Sequence, residues 1–364
     1  MKIAEILQAL EETAPLKWQE EYDNSGLIIG DPEKEVQRTL VCVDVTPEVL
    51  AEAIDKRCGL IISHHPVIFR GLKKIMPGNT VGDLVIQALK NDIAICSVHT
   101  NLDNIDRGVS WILGQKIGLT DSRILVPRKG LLRKLVTFCP LEYAGKVREA
   151  IFEAGAGVIG NYDSCSYQLE GEGTFRGMEG SHPFIGEKGK LHVEKELRLE
   201  TIFPVHRERE IIHALLSTHP YEEVAYDIYP LDNEYKKVGS GVIGELADPL
   251  PERELMAVLK TVTGSPVIRH SGFLERKVKK VAVCGGSGSF LISDAMAQQA
   301  DVYITADLKY HDFFEANRRI LLMDIGHYES EQFTKELIAS ILVKKFPTFA
   351  VLITQLNTNA VQYH

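Results

Sequence analysis

Five side chains in this sequence have the types and the spacing needed to bind metal ions. They lie in three short stretches, "IISHHPVIFR", "CSVHTNLDN" and "MDIGHYESEQF", and each stretch begins in or follows an apolar run that predicts a buried strand. The five residues are His64, His65, Asp103, His327 and Glu331. Imidazole nitrogens and carboxylate oxygens without a thiolate suit Zn, with Mn, Fe and Co as alternatives. The pattern therefore predicts a catalytic type of metal centre.

The adjacent histidines suggest a pair of ions. Side chains alternate between the two faces of a strand, so His64 and His65 cannot both point into one core, and Pro66 ends regular pairing directly after them. We expect the two imidazoles to splay apart at the strand end, where each binds a different ion of a close pair. Open coordination positions would hold water.

The third stretch supplies a possible bridge between such ions. Gly326 interrupts the strand, a helix is predicted to begin near His327, and Glu331 follows four residues later on the same helix face. Glu331 would bridge the two ions, and Asp103 would complete one side. Two ions about 3.5–4 Å apart acidify water and polarise a substrate, which predicts metal-assisted hydrolysis with Glu331 or a nearby histidine transferring protons. His99 is either a residue that orients a ligand or an ordinary loop histidine.

Three further stretches allow both a functional and a structural interpretation. "CGGSGSF", residues 284–290, either cradles a phosphate with its backbone amides or forms a tight turn. "TADLKYHDF" places Asp307, Lys309 and His311 after a strand, where they either line a substrate pocket or begin an exposed helix. "YDNSGL", residues 22–27, is typical of a turn.

The elements around these residues predict a discontinuous α/β domain. Strand-like and helix-like runs alternate through residues 1–126 and again through residues 237–364, as expected for two similar halves of helices on a mostly parallel sheet. Ligands bind outside the carboxyl ends of such strands, where all three stretches would converge. Residues 127–236 instead read βαββαβ, the order of a ferredoxin-like α+β unit, and turn-rich "VPRKG" and "PLDNEYKKVGSG" flank it.

Composition limits the partners and the location. The 41 basic and 50 acidic residues give a net charge of -9, which makes a nucleic-acid partner unlikely. Six scattered cysteines without a CxxC pair are typical of buried thiols in a reducing cytoplasm. The amphipathic N-terminus does not resemble a signal peptide, and no apolar run approaches the roughly 20 residues of a membrane span.

The motifs "SHHP", "HTNLDN", "GGSGS", "TADLKYHD" and "GHYESE", in this order, resemble the GTP cyclohydrolase 1 type 2 homologue family of Nif-three-like dinuclear metal proteins, also called domain of unknown function 34. The resemblance covers both outer thirds of the chain. It implies that His64 and Asp103 hold one ion, that His65 and His327 hold the other, and that Glu331 bridges both. It also implies a metal-dependent hydrolase acting on a nucleotide or a related small molecule.

The middle of the chain, with "STHPYEEVAYDIYPL", resembles the inserted domain of longer bacterial members of that family, which is similar to the trimeric signalling proteins CutA and PII. The resemblance implies a toroidal homohexamer whose metal sites face an internal cavity and whose inserts cap the openings. The alternative function is a non-enzymatic metal-binding or regulatory protein with a ligand-sensing insert. An open coordination position would favour the hydrolase, and a closed site would favour the alternative.

Overall fold

The computed structural model of the chain describes all 364 residues. They form two compact units: Met1–Val126 together with Lys237–His364, and Pro127–Lys236. We call these the outer unit and the inserted unit. The outer unit contains all five predicted metal ligands and is built from both ends of the chain.

The chain contains 15 strands and 11 α-helices. The strands are β1 (Gly26–Ile29), β2 (Arg38–Cys42), β3 (Leu60–Ser63), β4 (Ala94–Ser97), β5 (Leu119–Arg128), β6 (Leu132–Pro140), β7 (Ser166–Arg176), β8 (Leu191–Pro204), β9 (Tyr226–Leu231), β10 (Tyr235–Pro251), β11 (Arg269–His270), β12 (Lys277–Ser287), β13 (Val302–Ala306), β14 (Leu321–Asp324) and β15 (Ala350–Ile353). The helices are α1 (Ile3–Thr13), α2 (Pro47–Asp55), α3 (Thr80–Lys90), α4 (Thr100–Asp103), α5 (Val109–Lys116), α6 (Leu141–Glu153), α7 (Glu208–Thr218), α8 (Glu252–Thr263), α9 (Ile292–Ala297), α10 (His327–Glu331) and α11 (Thr334–Lys345).

The first sheet of the outer unit has the strand order β1-β4-β3-β2-β15. Its members β4, β3, β2 and β15 run parallel, and β1 pairs antiparallel at one edge. Strand β3 is buried along its whole length, as expected for a parallel strand covered on both faces. The parallel arrangement directs the carboxyl ends of β2, β3 and β4 to the same edge of the sheet.

The second sheet has the order β11-β14-β13-β12-β10-β5. Its central strands β12, β13 and β14 are parallel, β10 pairs antiparallel with β12, and β11 pairs antiparallel with β14. Each sheet takes one strand from the other end of the chain, since β15 joins the first sheet and β5 joins the second. Both sheets of the outer unit therefore combine strands from the two ends of the chain.

The turn-rich stretches that flank the middle of the chain belong to strands. "VPR" is the end of β5, and "YKKVGSG" is the beginning of the 17-residue β10. Val238 and Val242 of β10 are buried, and β10 pairs with both β12 and β5. Gly241 has a φ of +64°, which glycine adopts without strain. Tertiary pairing thus overrides the local turn signal.

The inserted unit follows the order β6-α6-β7-β8-α7-β9. These strands form an antiparallel sheet with the spatial order β7-β8-β6-β9, which is the arrangement of a ferredoxin-like βαββαβ unit. One face of the sheet packs against α6 and α7, through buried residues such as Leu135, Phe203, Val147 and Ile211. This unit therefore has its own hydrophobic core.

The six cysteines are free thiols, and five of them are buried. Burial raises the pKa of Cys96 to about 12, so this thiol stays protonated. None of the helices has the length and apolar character needed to cross a membrane.

Candidate metal centre

The predicted ligand residues lie together, beyond the carboxyl ends of parallel strands. His64 and His65 directly follow β3, Asp103 ends the short helix α4 after β4, and His327 and Glu331 occupy the first and last positions of α10 after β14. The first sheet thus contributes three of these residues and the second sheet two. The site exists only because both ends of the chain fold into one unit.

One oxygen of Glu331 lies at the centre of the histidines. Its Oε2 is 2.9 Å from Nε2 of His65, 3.0 Å from Nε2 of His327 and 3.7 Å from Nε2 of His64. The rings of His64 and His65 have centroids 4.9 Å apart and an interplanar angle of 43°. The adjacent imidazoles therefore both face the carboxylate of Glu331.

Two buried polar atoms of the site have no hydrogen-bond partner. His64 is fully buried, and its Nδ1 donates to the carbonyl oxygen of Val98 at 2.9 Å, which leaves Nε2 unpaired. Asp103 Oδ1, also unpaired, lies 3.6 Å from that nitrogen. Unsatisfied buried groups cost about 1–3 kcal/mol each, so a native structure rarely keeps two of them adjacent. A cation between them would satisfy both, and the residues fit a metal ion.

Three histidines are oriented by carboxylates behind them. Each donates from Nδ1, and the pairs are His65 with Asp44 at 2.7 Å, His327 with Asp307 at 2.6 Å, and His99 with Asp23 at 2.7 Å. Such a contact fixes the tautomer and leaves Nε2 free to bind a metal. Sequence reasoning missed Asp44 and Asp23. Asp44 comes soon after the end of β2, the parallel strand next to β3, and this position was the one signal that could have identified it.

Asp23 accepts several hydrogen bonds besides that of His99. Its Oδ2 accepts from the backbone N–H of Thr100 at 3.0 Å and from the hydroxyl of Ser25 at 2.8 Å. Burial opposes ionisation, but the contacts with His99, Thr100 and Ser25 hold the pKa of Asp23 well below its usual range. "YDNSGL" thus supplies a support for His99. A ring nitrogen of each of His64, His65 and His99 lies within 4.8 Å of the others.

The electrostatics of the site favour positive charge. Burial and the neighbouring Glu331 charge hold the pKa of Asp103 well above its usual value. Burial acts against ionisation of Glu331 too, but the histidines around it keep its pKa well below the usual range. Burial opposes protonation of His65 and His327, yet their carboxylate partners raise the pKa of His65 to about 10 and that of His327 to about 11.

The glycine-rich stretch "CGGSGSF" makes room for Glu331. Gly286 has a φ of +64°, and a Cβ at this position would clash with Oε1 of Glu331. Its backbone N–H donates to the hydroxyl of Ser330 at 2.9 Å, so this amide is already paired. These contacts favour the structural interpretation of the glycines over a phosphate cradle.

A cavity of about 520 Å³ opens in front of the histidines. His65, His99, Asp103, His327 and Glu331 line its floor, and Tyr22, Phe69 and Phe290 line it with exposed aromatic rings. The rings of Tyr22 and Phe69 have centroids 6.3 Å apart. Lys309 and His311 do not line the cavity, and Asp307 supports His327 behind it. The cavity can admit a small molecule to the carboxylate and the imidazoles.

Comparison with known proteins agrees with this arrangement. The family model of Duf34/NIF3 (NGG1p interacting factor 3) matches residues 1–360. The chain belongs to the Duf34/NIF3 family. A "GTP cyclohydrolase 1 type 2 homolog" of Bacillus subtilis is 39% identical over 361 residues, which cover 98% of this chain and 96% of that protein. A protein of the same name from Halalkalibacterium halodurans is 39% identical over 360 residues, or 96% of this chain and 97% of that protein.

The fold of this Duf34/NIF3 protein has a solved counterpart. The crystal structure of a Bacillus cereus protein related to NIF3 superposes with a TM-score of 0.88 at 36% identity, and the match covers 100% of this chain and 99% of that one. The resemblance inferred from the five motifs is confirmed, as is a mixed α/β architecture with several sheets. Groups of histidine, aspartate and glutamate that could bind metal ions are present at the predicted positions.

Proposed function

We propose that this protein is a dinuclear metal-dependent hydrolase that acts on a nucleotide or a related small molecule. The observation that carries the proposal is the position of Glu331 Oε2 between three imidazole nitrogens, beside two buried atoms without a partner. The naming of the Bacillus subtilis relative as a GTP cyclohydrolase homologue supports the same reaction class, hydrolysis at a ring C–N bond.

The ligand residues divide into two groups that share Glu331. One group is His64, Asp103 and Glu331, and the other is His65, His327 and Glu331. Each group would hold one divalent ion, with Zn as the first candidate and Mn, Fe or Co as alternatives. Two such ions, when bound, would acidify a water molecule and polarise the substrate.

The protein's own residues would orient the substrate and move a proton. Glu331 would hold both ions, because its carboxylate is ionised and lies at the focus of the site, and Glu331 or a nearby histidine would accept a proton from the attacking water. Asp44 and Asp307 would keep His65 and His327 in place while charge changes at the centre. The exposed rings of Tyr22, Phe69 and Phe290 would stack against a planar ring of the substrate.

The test is turnover by the metal-loaded protein and by Glu331→Gln. We expect the metal-loaded chain to hydrolyse at least one compound in a panel of nucleotides and cyclic amides. We expect Glu331→Gln to abolish this turnover, because the neutral amide can neither hold both ions nor accept the proton. A chain that keeps two ions and hydrolyses nothing in the panel would exclude the hydrolase proposal and leave the binding function.

Assembly and location complete the proposal. We propose that the chain assembles with itself into a toroidal homohexamer and that neither a membrane nor nucleic acid is a partner. Light scattering would then report six copies of the 40.6 kDa chain. The free thiols are compatible with a reducing cytoplasm as the location.

A second candidate is a metal-binding regulatory protein whose CutA- or PII-like inserted unit senses a small ligand. The inserted unit contains a cavity of about 670 Å³ lined by Phe138, Phe175, Phe184 and Tyr221, which supports this alternative. Metabolites that raise the melting temperature of the full chain without being hydrolysed would favour it. The same cavity would serve equally as a surface for contact between copies.

A further inference from the structure

The C-terminal segment, residues 354–364, has no regular secondary structure and is mostly exposed. It begins at Thr354, which is 2% exposed and whose backbone N–H donates to the carbonyl oxygen of Val41 at 2.9 Å. Within the exposed part that follows, Thr358 and Asn359 are half-buried. Thr358 makes a side-chain hydrogen bond to Asp44, which supports His65, and Asn359 makes one to Glu329, which lies on the helix of His327.

Thr358 contacts the support of His65. Its hydroxyl donates to Oδ2 of Asp44 at 2.8 Å, while Oδ1 of Asp44 accepts from Nδ1 of His65 at 2.7 Å. The hydroxyl, the carboxylate and the imidazole thus form a chain of three groups. With both oxygens occupied, the Asp44 carboxylate has little freedom to rotate, and the ring of His65 is held in turn.

Asn359 contacts the helix that carries His327. Its side-chain amide donates to Oε1 of Glu329 at 2.9 Å, and Glu329 is a 95% buried residue of α10. Oδ1 of Asn359 accepts from the backbone N–H of Val361 at 3.0 Å, which fixes the orientation of the amide. A Cβ at Gly326 would clash with Glu329, so this carboxylate packs tightly beneath the start of the helix.

We propose that Thr358 and Asn359 form a strap that sets the distance between His65 and His327. The strap would thereby set how tightly the protein binds one of the two ions. This ion is the one that His65, His327 and Glu331 would hold. The other ion would be affected less, because its ligand His64 is held by the Val98 carbonyl and Asp103 by α4, and only Glu331 is common to both ions. This inference rests on the proposed metal centre. Thr358 and Asn359 are positioning residues, since neither touches an ion or a substrate.

The test is titration of the metal-free full chain with Co²⁺ alone, followed by its visible absorption and by equilibrium dialysis. Thr358→Val keeps the shape of the side chain and removes the hydroxyl. We expect it to weaken one of the two Co²⁺ equilibria by about tenfold, the lower end of the 10–100-fold range for partners behind a ligand. The spectrum of that ion should change, and the binding of the second ion should be weakened less.

Two comparisons separate positioning from general destabilisation. Thr358→Ser keeps the hydroxyl and should restore the parent affinity. Thr261→Val removes a hydroxyl from an exposed position of α8, where it bonds the carbonyl oxygen of Ala257 at 3.0 Å, and should leave both ions unchanged. In an Asp44→Asn background, Thr358→Val should have no further effect, because the two residues act in series.

The possible outcomes are distinct. If Thr358→Val weakens both ions equally, or neither, the strap is excluded while the metal centre stands. If the parent chain binds no Co²⁺, the proposed centre itself fails and the strap fails with it. Should Thr358→Val not fold, Asn359→Ala tests the other arm of the strap, and it must weaken the ion at His65 and His327 more than the other ion.

Discussion

Two buried histidines, one in each unit, differ in the groups that their ring nitrogens face. His219 of the inserted unit is 7% exposed, and both of its ring nitrogens are paired: Nε2 lies 2.9 Å from the carbonyl oxygen of Phe138, and Nδ1 accepts from the backbone N–H of Tyr221 at 3.1 Å. His64 of the outer unit is fully buried, and only its Nδ1 is paired. Burial lowers the pKa of both residues.

The difference shows that burial alone does not identify a metal ligand. Both ring nitrogens of His219 are bonded to backbone groups of the inserted unit, so neither is available to a ligand and its role is structural. His64 has one hydrogen bond, and its second ring nitrogen lies 3.6 Å from a buried oxygen of Asp103, so this nitrogen is available to bind a metal ion. The partners of Nε2 therefore distinguish the two roles here: a backbone carbonyl for His219, and the carboxylate of Glu331 for His64, His65 and His327.

The largest expected effect comes from removing each of these histidines in turn. His64→Ala should lower the affinity for one ion by more than the roughly 100-fold that loss of an outer partner can cost, because it removes a ligand. His219→Ala should leave metal binding unchanged and lower the free energy of unfolding by about 1–3 kcal/mol, because it leaves buried partners unpaired. Metal titration and chemical denaturation measure the two effects. Equal metal loss in both variants would refute the distinction.

The next effect concerns the carboxylate behind His327. Asp307→Asn replaces the acceptor of the Nδ1 proton with a weaker one, so we expect the affinity for the ion at His327 to fall about 10–100-fold. The matched variant is Asp301→Asn, which alters a carboxylate that accepts the backbone N–H groups of Lys279 and Lys280. It should leave both ions in place. Unchanged Zn²⁺ binding by Asp307→Asn would show that His327 needs no such support.

A smaller effect should follow substitution of two glycines with similar backbone angles. Gly286 has a φ of +64° and Gly264 a φ of +69°, so alanine at either position should cost about 1–2 kcal/mol of stability. At Gly264 an added Cβ meets nothing within 4 Å, whereas at Gly286 it clashes with Glu331. Of the two variants, only Gly286→Ala should therefore weaken metal binding. If Gly264→Ala weakened it equally, the close approach to Glu331 would be irrelevant.

The smallest expected effect is the pH dependence contributed by His219. Burial lowers the folded-state pKa of His219, although the Phe138 carbonyl and the Glu196 charge act to raise it. The unfolded state therefore binds the proton more readily, and the parent chain should lose stability as pH falls below about 6.5. His219→Gln lacks this proton, so the stability difference between parent and variant should narrow between pH 7 and pH 5.5. A difference that widens would show that His219 is stabilised in its charged form.

Much of this architecture could be predicted from the sequence, because the signals were local. Apolar runs such as "GLIIS" and "ADVYITA" are strands, and His327 begins a helix after Gly326. The exchange of β15 and β5 between the sheets had no local signal, since strand order depends on contacts between distant segments. The turn residues around Gly241 pointed to a loop, yet pairing on both sides made a strand.

The metal-ligand residues could also be predicted from the sequence, whereas the residues that hold them in place could not. Histidines and carboxylates after strand ends are visible in the sequence, as "SHHP" and "GHYESE" show. Asp44 and Thr358 are 314 residues apart in the chain, and nothing in either neighbourhood indicates that they meet. Their pairing follows from the parallel alignment of β15 beside β2, which brings the C-terminal segment to the site.

The most direct test is a crystal structure of the zinc-loaded chain with anomalous scattering measured at the zinc edge. We expect two peaks, one bounded by His64, Asp103 and Glu331 and the other by His65, His327 and Glu331, with His219 free of metal. No peak at these residues, or a peak at His219 alone, would contradict the account.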